Sequence, residues 1–143
     1  MSSAVPGAFS AGAHGAASPR LRAHRNFHPD LSDPVQRLAV AMEPGTYVRP
    51  HRHPHTFELL TSLSGRFVVL TFDDAGNVTE RVVLGEECKV LEMAAGTWHA
   101  VLSMDKGGVI FEVKYGGYQP VSEQDAAACS LCCRRSLNVI CFI

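Results

Sequence analysis

Apolar and polar positions alternate along this chain in short runs separated by turn residues, and no stretch sustains a helical period. Runs with strand character span residues 37–42, 47–53, 57–62, 66–72, 78–84, 89–93, 98–104 and 109–115. Asp73-Asp-Ala-Gly-Asn77 reads as a hairpin turn with Gly76 free to take positive φ, and Asp105-Lys-Gly-Gly108 reads as another. Eight short strands without an intervening helix predict an all-β barrel or jelly roll.

Composition adds boundaries. Residues 1–18 are dominated by Ala, Gly and Ser, bury too little apolar surface to offset ordering entropy, and are expected to be disordered. Residues 19–36 are polar and rich in Arg and His; with Asp33-Pro34 marking a turn or short helical start, they read as a lead-in to the barrel strands. The length of 143 residues suits one domain, assigned to residues 19–120, followed by a Cys-rich tail over 121–143. A net charge of −1, with no basic stripe carrying interleaved aromatics, argues against nucleic acid as a partner. No apolar run is long enough to span a bilayer and no leader pattern opens the chain, so a cytoplasmic protein without a membrane partner is expected.

The chemistry is concentrated in Gly45-Thr-Tyr-Val-Arg-Pro-His51-Arg-His53-Pro-His-Thr-Phe-Glu58, answered downstream by Gly96-Thr-Trp-His99. On an extended strand His51 and His53 point the same way, with Cα atoms about 6.6 Å apart. Glu58 follows on a returning strand, and His99 can complete the set from another. Three imidazole nitrogens and one carboxylate oxygen suit one divalent transition metal ion, Fe, Mn, Zn and Ni foremost and Cu among the alternatives. A polar turn that merely happens to contain histidines is the plain alternative, opposed by the spacing of Glu58 and the distant His99. His55 reads as a rim residue.

The same parity places Tyr47 and Arg49 beside the histidines, where they are candidate catalytic groups. Arg49 would then face a ligand carboxylate or phosphate, or else pair with a structural carboxylate such as Glu112. Leu60, Ser62, Val101 and Ser103 share the faces of Glu58 and His99, giving a mostly apolar wall fit for a small ligand. Arg22, Asn26 and His28 either reach over the barrel mouth to the ligand or anchor the lead-in segment. Trp98 alternates away from His99 and reads as core or interface.

The spacing Gly45-x5-His51-x-His53-x4-Glu58-x6-Gly65, followed by Gly96-x-x-His99, resembles the paired motifs of the cupin superfamily. Ala94 and Ser103 stand where the second motif usually has Pro and often has Asn. More narrowly, Asn26-Phe-His28, Val35-Gln-Arg37, Tyr47-Val-Arg-Pro-His-Arg-His53, Phe72-Asp-Asp-Ala-Gly-Asn-Val78 and Phe111-Glu-Val-Lys-Tyr-Gly-Gly-Tyr118 look like the WbuC-type cupin metalloproteins. The resemblance covers residues 20–120. It implies a small double-stranded β-helix barrel with a metal held by His51, His53, Glu58 and His99, a homodimer, and a sugar-derived ligand connected with bacterial surface polysaccharide synthesis.

Four ligands leave open positions on an octahedral ion for water, dioxygen or a chelating substrate, which permits isomerase, lyase, hydrolytic or oxygenase chemistry. A metal-dependent binding or sensing module without turnover is the alternative, and a metal-free structural cupin a third reading. Of five cysteines, Cys88 lies in the barrel region while Cys129, Cys132, Cys133 and Cys141 crowd the tail. Their spacing fits no established zinc site, a cytoplasmic setting disfavours disulfides, and residues 126–143 depart from the family's usual ending, so the tail carries no expected catalytic role.

Overall fold

Two antiparallel sheets face one another and trap the apolar side chains of alternating strands between them. A computed structural model describes residues 16–127. The strands are β1 (Arg22–Asn26), β2 (Val35–Met42), β3 (Glu58–Ser64), β4 (Phe67–Phe72), β5 (Val78–Leu84), β6 (Val90–Met93), β7 (Trp98–Ser103) and β8 (Gly108–Tyr115), followed by a short 3-10 turn, Glu123–Asp125. One sheet has the order β1-β2-β8-β3-β6 and the other β5-β4-β7. This is the all-β jelly-roll architecture that the alternating pattern predicts.

Between the sheets, Met42, Leu60, Ile110 and Met93 from the larger sheet meet Phe67, Val69 and Leu84 from the smaller one. Phe67, Leu60 and Leu84 are wholly buried. At about 25 cal/mol per Å² of apolar surface removed from water, such side chains supply the main drive for closing the two sheets. Strand β4 is buried on both faces, since Val68, Leu70 and Phe72 form a second cluster with Ala100, which explains its continuous apolar run.

The turns keep to their expected chemistry. In the β4–β5 hairpin, Asp73 accepts from the amides of Gly76 and Asn77 through its carbonyl and carboxylate oxygens, respectively, and Gly76 has φ of +82°. Gly85 is more constrained. It has φ of +98°, and a Cβ there would lie 2.6 Å from the Gly65 carbonyl oxygen, so both backbone conformation and space require glycine.

Two elements differ from expectation. Residues 47–53 do not form a ladder strand; His51 alone makes isolated bridges, to His99 and to Ala126. Pro50 and Pro54 lack amide donors and flank the motif, so a continuous ladder cannot run through it. Conversely, part of the polar lead-in is an edge strand, β1, paired with β2 from Arg22↔Met42 to Asn26↔Leu38. Its polarity hid it from a search for apolar alternation.

Residues 1–15, which include most of the segment expected to be disordered, and residues 128–143, which include Cys129, Cys132, Cys133 and Cys141, lie outside the described residues. Among the described residues, no helix is long and apolar enough to cross a membrane.

Candidate metal centre

His51, His53, Glu58 and His99 are brought together from three parts of the chain, with one ligand atom from each lying within 4.8 Å of the others. Glu58 opens β3 and His99 is the second residue of β7. His51 is fixed to β7 by a reciprocal pair of backbone hydrogen bonds with His99, 3.0 and 2.9 Å long. His53 is held two residues further on, where its carbonyl accepts from the Gly96 amide at 2.9 Å.

Backbone carbonyls set the tautomers. His51 Nδ1 lies 2.8 Å from the Arg49 carbonyl oxygen and His99 Nδ1 lies 2.9 Å from that of Thr97. A ring nitrogen facing a carbonyl must carry the proton, so in the neutral rings Nε2 is left as a bare lone pair. This is the arrangement by which second-shell contacts prepare imidazoles for a metal.

The nitrogens His53 Nε2 and His99 Nε2 each lie 3.1 Å from Glu58 Oε2. Yet all three atoms are buried without a partner at hydrogen-bonding geometry. Imidazole nitrogens and a carboxylate oxygen converging on one point need a cation between them, a proton or a metal ion. The donor set, three imidazole nitrogens and one carboxylate, suits a divalent transition metal.

The electrostatics of the cluster favour a cation at its centre. Burial, reinforced by the neighbouring His99, pushes His51 down to about 4. Burial works to raise the Glu58 carboxyl, but His53 and His99 outweigh it and hold the group well below its ordinary value, so Glu58 is an anion at neutral pH. Burial likewise opposes charge on His99, and here Glu58 prevails and holds the imidazole above its ordinary value.

The cluster opens into a cavity of about 660 Å³. Leu38, Val40, Met42, Val48 and Val101 form its apolar wall, and Arg22, His24, Asn26 and His28 its far side. Val101 lines it as parity predicts, whereas Leu60 belongs to the core and the hydroxyls of Ser62 and Ser103 donate to the backbone carbonyls of Gly65 and Asp105. His55 is exposed and stands on the cavity's border. Lys114 and Glu112 also line it, paired at 3.1 Å.

Arg49 and Tyr47 are not among the cavity's lining residues. Tyr47 is 58% exposed. The Arg49 guanidinium pairs with Glu123 at 3.1 Å and donates to the Ala127 carbonyl, so its partner is a carboxylate of the chain's later part and not Glu112. Parity misplaced both because residues 47–53 do not hold a regular strand. Three contributors escaped the sequence reading: His24 and Lys114 in the cavity, and the segment around Asp125. The last braces the histidine loop through Arg52, whose amide donates to the Asp125 carbonyl and whose side chain meets its carboxylate at 2.8 Å. Trp98 lies beneath the Arg52 guanidinium, 4.8 Å from it, and donates to Asp74.

Two facing sheets with this histidine–carboxylate cluster at the mouth define a cupin fold. Solved structures that resemble the chain include KdgF from Halomonas sp., with a TM-score of 0.57 and 13% identity over 71% of this chain and 85% of that one. An oxalate oxidase in complex with its substrate analogue glycolate gives 0.57 and 20% over 84% and 60%. Oxalate decarboxylase OxdC of Bacillus subtilis, as its E162A mutant, gives 0.54 and 16% over 68% and 26%. Residues 9–84 match the profile described as Domain of unknown function (DUF6016), over half of the chain, and the chain belongs to that family. No curated protein sequence matches it.

Proposed function

We propose that this protein is a metal-dependent cupin in which His51, His53, Glu58 and His99 hold one divalent transition metal ion and a small anionic or sugar-derived molecule occupies the adjoining cavity. The observation that carries this reading is the convergence of His53 Nε2, His99 Nε2 and Glu58 Oε2, buried and without hydrogen-bond partners. A bound ion would act as a Lewis acid or as a platform for dioxygen. The chain's own contribution is to present bare imidazole nitrogens, to keep Glu58 ionised, and to surround the open side with an apolar wall.

The WbuC-type resemblance supports a sugar-derived ligand, and the structural likeness to an oxalate oxidase bound to glycolate supports a small carboxylate. Both fit a cavity of this size. A homodimer is part of the proposal, supported by strands β5 and β6 standing at sheet ends, and so is residence in the cytoplasm.

The test is elemental analysis of protein purified without added metal, followed by turnover and binding assays on the loaded protein. Stoichiometric metal with product formation from a sugar acid or small carboxylate supports an enzyme. Binding without product supports a sensing module. A site that neither contains nor accepts metal, with thermal stability unresponsive to metal, defeats the proposal.

A further inference from the structure

His28 carries the fourth buried, unpartnered polar atom among the described residues, and it lies in the same cavity as the other three. The residue is only 6% exposed. Its Nδ1 lies 3.0 Å from both the amide nitrogen and the carbonyl oxygen of Arg37. That carbonyl already accepts from the Phe27 amide at 2.8 Å, whereas the Arg37 amide, which must donate, has Nδ1 as its acceptor. Nδ1 is therefore the bare nitrogen and Nε2 carries the proton. This is the reverse of the tautomer set at His51 and His99. An N–H donor thus lies buried in the cavity's wall with no acceptor.

Its position relative to the metal ligands follows from the register. Glu58 pairs with Lys114, and Lys114 with Gln36. β1 ends with Asn26 opposite Leu38, and just beyond it the Phe27 amide still bonds the Arg37 carbonyl, which brings His28 level with Gln36. Glu58, Lys114, Gln36 and His28 therefore form one cross-strand row. Three spacings of about 4.8 Å separate the backbones of Glu58 and His28, so a two-carbon acid at the metal end cannot reach His28.

Cationic side chains also line the cavity. Arg20 and Arg22 line the cavity and form no ion pair among the described residues. Lys114, beside Glu58 in the row, is paired with Glu112 at 3.1 Å.

We propose that His28 Nε2–H is the anchor of a second ligand subsite, which receives an oxyanion at the far end of an elongated acid whose near end meets the metal. Resting on the metal reading above, this narrows the ligand to an acid of about six carbons or more with polar groups at both ends. Lys114 and Gln36, which lie between Glu58 and His28 in the row and line the cavity, flank the middle of the ligand.

The test is calorimetric titration of the metal-loaded full chain with linear dicarboxylates from oxalate to suberate, and with glucarate. Affinity is expected to rise about ten-fold or more once the acid is long enough to reach His28, as a hydrogen bond to a charged group warrants. In His28→Asn, whose Oδ1 takes over the acceptor role of Nδ1, that gain should collapse with metal per chain unchanged. His28→Gln, whose amide reaches the place of Nε2, should restore part of it. A gain that survives His28→Asn, no gain with length, or no diacid binding by fully metallated protein overturns the subsite. Failure of the metal reading shows separately, as absent metal. Nitrogen-15 NMR of His28 then still decides, since it needs no ligand: Nε2 protonation is expected, and Nδ1 protonation overturns the proposal.

Discussion

His51 and His99 exchange both of their backbone hydrogen bonds, so two of the four candidate ligands are paired residues before any ion arrives. Their rings follow with centroids 4.6 Å apart. Pairing of main chains fixes the separation of the two imidazoles more firmly than rotamer preference could, which is the meaning of a preorganised site.

Because the ligands ride on segments ordered by the core, His53→Ala is expected to abolish stoichiometric metal while leaving the fold intact. Elemental analysis alongside circular dichroism checks this, and full metal occupancy in the variant would refute the ligand assignment.

Bracing of the histidine loop by Asp125 makes a different prediction. Asp125→Ala removes the 2.8 Å contact to Arg52 and the acceptor of the Ser122 hydroxyl. We expect little lost stability, since the pair is solvated, but a several-fold weaker hold on metal in chelator competition. Arg66→Ala breaks ion pairs to Glu86 and Asp105 at the other side of the molecule and should leave metal affinity unaltered. Equal effects from the two variants would dismiss the brace.

The core beneath the site is open to a direct measurement. Leu60 is wholly buried two residues from Glu58. Leu60→Ala should cost about 2–5 kcal/mol in denaturant unfolding, the usual range for a buried leucine reduced to alanine.

Gly85 and Gly76 offer a matched pair. Both have positive φ, but a Cβ at Gly76 meets nothing within 4 Å, whereas at Gly85 it meets a carbonyl at 2.6 Å. Gly76→Ala should cost about 1 kcal/mol from backbone conformation alone, and Gly85→Ala distinctly more. Parallel thermal melts of the two proteins give the difference, and equal costs would show that the Gly65 carbonyl moves aside freely.

Much of the site was legible because its members are close in sequence and chemically uncommon: His51, His53 and Glu58 occupy one short motif, and His99 has its own Gly-x-x-His. The strands rich in β-branched and aromatic residues, such as β4 and β8, were legible for the same local reason. What escaped depends on distance or on disguise. β1 is dominated by Arg, His and Asn, and Arg22, His24 and Asn26 line the cavity instead of the core, so hydrophobic alternation does not mark it. Arg49 and Tyr47 were misdirected by parity, which holds only while a ladder persists, and the prolines end it. The pairing of Arg49 with Glu123 joins positions 74 apart, and nothing local announces it.

That separation also orders events in time. A growing chain exposes His51 long before Asp125 and Ala127 exist to brace it. At synthesis rates of about 5–20 residues per second, the loop waits several seconds for its support. Loading of a metal would therefore be tied to completion of the described barrel, since ions offered to a nascent chain would meet histidines that have not yet been brought into register.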